Sequence, residues 1–132
     1  MKNLVQPLLV FSMLCASATG FAAQTCQQGM LPVFVCSAVP SNDYFYRHLG
    51  SDITVCQGNN KIELVSVRGD GKREVAAASL QRTSSIIVYN MLNDEDSSII
   101  ARLTINRENP SLAKFQFEGD GVFQKRVCRK TR

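Results

Sequence analysis

SDITVCQGNNKIELVSV, residues Ser51 to Val67, is the stretch whose reading decides the fold. Two runs rich in Ile, Val, Leu and Thr flank Gly58-Asn59-Asn60, residues that tolerate the left-handed backbone of a tight turn. The stretch therefore reads as a β-hairpin. Downstream the same pattern recurs: Arg68-Gly69-Asp70-Gly71 is a turn, Lys72 to Leu80 a strand, Arg82 to Ser85 a polar break, and Ile86 to Leu92 a further strand. The three alanines at 76–78 also suit a helix, but no helix cap precedes them and the turn before them is hairpin-like. Ile86 to Leu92 is apolar on both faces, as expected of a central strand covered on both sides.

Beyond the Asn93-Asp94-Glu95-Asp96 turn the alternation sharpens. Ile99, Ala101, Leu103 and Ile105 share one face of a strand, and Ile100, Arg102 and Thr104 the other. In the next strand Ala113, Phe115 and Phe117 alternate with Lys114, Gln116 and Glu118. A period of two means that one face packs on a core and the other meets water. Gly119-Asp120-Gly121 then separates this strand from Val122 to Cys128. Upstream of the hairpin, Leu31 to Cys36 reads as a first strand, with Pro32 near its start where a missing N–H is tolerated. The whole is an all-β pattern of about eight short strands: a single small antiparallel meander barrel, closed by its first and last strands, or a sandwich.

Residues 1–22 read as a signal peptide. Lys2 is followed by the short apolar run Leu8 to Ala16, and Gly20 and Ala22 stand where a peptidase cutting before Ala23 needs small side chains. The apolar run is too short to span a bilayer, so no transmembrane segment is expected. A lipid anchor at Cys15 is disfavoured by Leu14 before it. Residues 23–132 then form one exported β domain, secreted or periplasmic, small enough to gain from cross-links.

Cys26, Cys36, Cys56 and Cys128 remain in that domain, an even count that argues for two disulfides with three pairings open. The positions of the strands favour Cys36–Cys56 with Cys26–Cys128, the latter tying the two ends together. No CxxC pair exists and His48 is the sole histidine, so a zinc site or any other metal or cofactor is not expected.

The chain carries a formal net charge of +4. Lys125, Arg126, Arg129, Lys130 and Arg132 crowd into its last eight residues, and the rest of the mature chain is slightly acidic. Such an end is either a solvated tail or a surface for an anionic partner. The other candidate surface is Tyr44-Phe45-Tyr46-Arg47-His48, where Tyr44, Tyr46, Arg47 and His48 have the chemistry of binding hot spots. Its structural alternative has Phe45 in the core and the tyrosines covering its edge.

Catalysis is disfavoured. His48 has no Gly-x-Ser-x-Gly elbow to serve and no acid placed beside it by the sequence; an enzymatic reading would need Asp43 or Asp52 gathered around it. Arg68-Gly69-Asp70 spells an adhesion tripeptide but stands where a turn is needed. Asp94-Glu95-Asp96 lacks the spacing of an EF-hand loop, and neither Gly-Asp-Gly is a phosphate loop. Aromatic residues do not interleave with the basic tail apart from Phe123, and no nucleic-acid partner is expected.

In size and outline the chain is similar to small exported, disulfide-bonded β-barrels that inhibit host lysozymes. The likeness is one of architecture, for the Tyr- and Trp-bearing motif sought in such inhibitors is missing and the chain has no Trp. Two expectations follow. The first is a non-catalytic exported binding module that recognises an envelope or extracellular component, either a protein or an anionic surface. The second is a small secreted inhibitor of a lysozyme or protease.

Overall fold

The computed structural model describes residues 25–40 and 50–131. The signal segment and the Tyr44–His48 surface lie outside the described residues. Eight strands follow in order: β1 (Leu31–Ala38), β2 (Ile53–Gly58), β3 (Lys61–Val67), β4 (Arg73–Arg82), β5 (Ile86–Leu92), β6 (Ile99–Asn106), β7 (Ala113–Phe117) and β8 (Gln124–Lys130). Each pairs antiparallel with the next, and β8 returns to pair with β1, so the sheet closes into a meander barrel with no free edge. Closure decides between the two architectures left open by the sequence. Among the described residues no helix is long and apolar enough to cross a membrane.

The β2–β3 hairpin turns on Asn59 and Asn60, both left-handed at φ 53° and 61°. That geometry matches the twist of the strands it joins. Gly58 is constrained from a different direction, because a Cβ there would lie 2.4 Å from the backbone oxygen of Gly29, in the segment that crosses the hairpin end. Gly58→Ala is therefore expected to cost about 2 kcal/mol, since one of the two backbones must shift. Urea unfolding checks it, and an unchanged midpoint would mean that the crossing segment is not held against the hairpin.

Alternation places the core. Ile53, Val55, Leu64, Ile87, Tyr89, Ala101, Leu103, Ile105 and Phe115 point into the barrel and are buried. Phe34 stacks edge-on against Tyr89, with ring centroids 6.5 Å apart. Burial raises the pKa of the Tyr89 hydroxyl above its ordinary value, against the opposing charge of Arg82. β6 and β7 follow their alternation as read, with Ala101, Leu103, Ile105 and Phe115 buried and Ile100, Lys114 and Glu118 exposed. β5 differs from a strand covered by a second layer. Its inner side chains Ile87 and Tyr89 fill the barrel, while outward Asn90 is buried by its neighbours on the same surface and donates to Gln81 Oε1 at 3.1 Å.

The cysteine pairing also differs from expectation: the bonds are Cys26–Cys56 and Cys36–Cys128. Register and facing explain why. Cys36 lies opposite Ile53 on β2, three residues from Cys56, and the two side chains leave opposite faces of the sheet. On β8, by contrast, Cys36 lies directly opposite Cys128, both facing inward, with Cα atoms 3.9 Å apart. Cys56 faces outward and meets Cys26, and with Met30 and Val65 they form a second small apolar cluster outside the barrel wall. This bond fastens the N-terminal segment to β2. The Cys36–Cys128 bond crosses the seam where the barrel closes.

Candidate functional site

β8 divides the basic end of the chain between the barrel interior and its outer wall. Gln124, Arg126 and Cys128 face the interior and are buried, whereas Lys125, Val127 and Arg129 face outward and are exposed. The expected single basic surface of Lys125, Arg126, Arg129 and Lys130 is thus corrected. Arg126 shares the inward face with Cys128 two residues on, because the period of a strand is two. Lys130 is exposed at the far end of the strand, opposite Phe34 of β1. Arg129 pairs with Val35 and lies by Thr54 and Arg68, while Lys125 pairs with Lys114 on β7. Tyr44, Tyr46, Arg47 and His48 lie outside the described residues.

Around Lys125 the outer wall is both cationic and apolar. Lys114 holds its ammonium 5.1 Å from the ring centroid of Phe123, which is itself 46% exposed. Leu112, 62% exposed, stands beside them, and Val39 and Ile86 complete a shallow groove between β1, β5 and β7. The exposed ring and leucine thus place apolar contact area directly beside two positive charges. The sequence had singled out Lys125 but not Lys114, Leu112 or Phe123. The signal was present in outward Lys114 and in Phe123, the one aromatic near the basic end.

Inside, Arg126 is the largest fully buried side chain of the described residues. Its Nε donates to Gln124 Oε1 at 2.8 Å, and one terminal nitrogen donates to the backbone oxygens of Cys36 at 3.0 Å and Ser51 at 2.9 Å. The guanidinium also sits 5.8 Å from the ring centroid of Phe115. Burial lowers its pKa to about 10, against the pull of the Asp52 charge, so it remains a cation at neutral pH. A cavity of about 270 Å³ adjoins it at the end of the barrel where β2, β4 and β8 begin. Ile53, Leu64, Met91, Phe115 and Phe117 form its apolar walls, and Ser66 and Glu74 stand nearer its opening.

The remaining polar motifs are accounted for by turns. Arg68 binds Asp70 of its own tripeptide at 3.0 Å, and the Lys72 backbone N–H donates to the same carboxylate. Those bonds, the Lys72 one foremost, lower the Asp70 pKa. Asp96 accepts from the hydroxyl and N–H of Ser98, which lower its pKa in turn. Among the described residues no three of His, Cys, Asp or Glu converge as a metal site requires. The chain matches no protein-family model, no curated protein and no solved structure.

Proposed function

We propose that this chain is a non-catalytic exported binding module that recognises an anionic envelope or extracellular component through the outer wall around Phe123. The observation that carries the reading is the grouping of Phe123 and Leu112, both exposed, with Lys114 and Lys125. Aromatic and aliphatic area supplies affinity when water is excluded, and the two ammonium groups supply charge complementarity and on-rate. Two disulfides and a closed barrel supply a rigid platform, which reduces the ordering cost of binding. The disulfides also support an oxidising, extracytoplasmic location.

A pull-down from envelope and extracellular material, in low and then high salt, tests the reading. A partner should be retained in low salt and released in high salt. Phe123→Ala combined with Lys125→Glu should weaken retention by about tenfold or more, the loss of roughly 1.4 kcal/mol or above. A partner held equally by that variant would move the site elsewhere on the barrel. Stoichiometric inhibition of one member of a lysozyme and protease panel would instead make the chain a small secreted hydrolase inhibitor.

A further inference from the structure

We propose that the cavity at the end of the barrel binds a small amphiphilic monocarboxylate, its anionic end on Arg126 and its apolar chain against Ile53, Leu64, Met91, Phe115 and Phe117. Arg126 also borders the groove by Phe123, but the cavity shares no other lining residue with that groove, and its apolar walls lie inside the barrel.

The space has a cause in the sequence. An eight-stranded barrel has an interior just wide enough for side chains to fill. Here β4 turns Ala76 inward, opposite Leu64 of β3, so that part of the cavity wall is a single methyl group. The resulting 270 Å³ takes roughly nine non-hydrogen atoms, at the ~30 Å³ that a water occupies in the liquid. That is the size of a six- to eight-carbon acid, on the same rough scale. Apolar walls with a few convergent polar groups are the usual make-up of a small-molecule site.

Arg126 selects the charge. Gln124 and the two backbone oxygens hold its guanidinium in place before any ligand arrives. The cost of taking that charge out of water is therefore already incurred in the folded state, and an incoming carboxylate recovers part of it. The lowered pKa of Arg126 reports the same desolvation. Glu74 adds discrimination. It occupies the inward-facing register of β4, opposite Ser66, and is exposed toward solvent at the cavity's opening. A second carboxylate on the ligand would meet it there, which favours a monoacid over a diacid.

Isothermal titration of the oxidised full barrel with hexanoate, octanoate, octanedioate, 1-octanol and octylamine tests the proposal. Octanoate should saturate a single site, with the alcohol, the amine and the diacid each at least tenfold weaker. Ala76→Phe, which fills the cavity and leaves Arg126 in place, should abolish the octanoate signal. Ala76→Leu serves the same purpose if the larger ring prevents folding, as judged by near-ultraviolet circular dichroism. Phe123→Ala should leave octanoate binding unchanged, which separates this site from the outer wall. Equal affinity for octanol and octanoate would overturn the role of Arg126. Undiminished binding to a folded Ala76 variant, or no binding of any probe, would overturn the site itself.

Discussion

Removing the seam disulfide, as the double substitution C36A/C128A, is expected to cost about 4–5 kcal/mol of stability, more than any other change considered for this barrel. The bond joins residues 92 apart in sequence, and cross-linking so long a loop removes much of the freedom of the unfolded chain. Cys26–Cys56 closes a loop of only 30, for which the same reasoning gives about 3.5 kcal/mol in C26A/C56A. The two bonds also differ in what they hold. Cys36 and Cys128 lie inside the core at the pairing of β1 with β8, so their loss leaves space beside Val55 and Phe34 and weakens the contact that closes the sheet. Cys26 and Cys56 fasten a segment to the outside. For a domain whose whole stability is on the order of 5–15 kcal/mol, the seam bond is the one whose absence leaves little margin. Guanidinium unfolding of both double variants gives the comparison, and non-reducing peptide mapping gives the pairing independently. Equal losses in the two variants, or a Cys36–Cys56 peptide, would contradict this account of the seam.

The pairing was not legible in the sequence because it depends on facing, and facing depends on register. β1 carries an irregularity between Pro32 and Phe34, which shifts its partners on β2 by one residue. A one-residue slip reverses the face of every side chain beyond it. Spacing alone therefore left three pairings open. The hairpin from Ser51 to Val67 and the strands from Ile99 to Phe117 were legible for the opposite reason. There the turn chemistry and the alternation agree, and both act over a few residues. The turn before β4 marks it as a strand despite its alanines, but their consequence, an interior left partly open, appears only once Ala76 is set opposite Leu64. Along the chain the basic residues form one run, but the period of two in β8 divides them between its faces. Stepping back two residues from inward Cys128 would have placed Arg126 and Gln124 inside, given only the knowledge that Cys128 pairs across the core. The candidate site was thus half legible: Lys125 and the aromatic at 123 belong to one face, while Arg126 belongs to another.

Arg126→Ala should cost about 3 kcal/mol, and the reasons show why a buried cation persists in so small a barrel. Truncation leaves Gln124 Oε1 and the backbone oxygens of Cys36 and Ser51 without the donor that now serves them, at roughly 1 kcal/mol or more each. It also enlarges the cavity that the guanidinium borders. Against these losses stands relief, since a charge no longer has to be held out of water. Arg126→Met separates the contributions: it restores volume without donors and should recover about half of the loss. Arg126→Lys keeps the charge but not the fork that reaches three oxygens at once, and should fare little better than Ala. The dependence on pH has a definite sign. Burial places the folded-state pKa, about 10, below that of the unfolded chain, so the unfolded chain holds the proton more tightly. Stability gained from this group therefore appears only as pH rises above about 10, and below that value its cost is constant. The difference between the native barrel and Arg126→Met should accordingly stay flat from about pH 5 to 9. Chemical denaturation at both ends of that range measures it, and a slope would mean that a group titrating near neutrality, and not the neutral oxygens around it, is what holds Arg126 in the barrel.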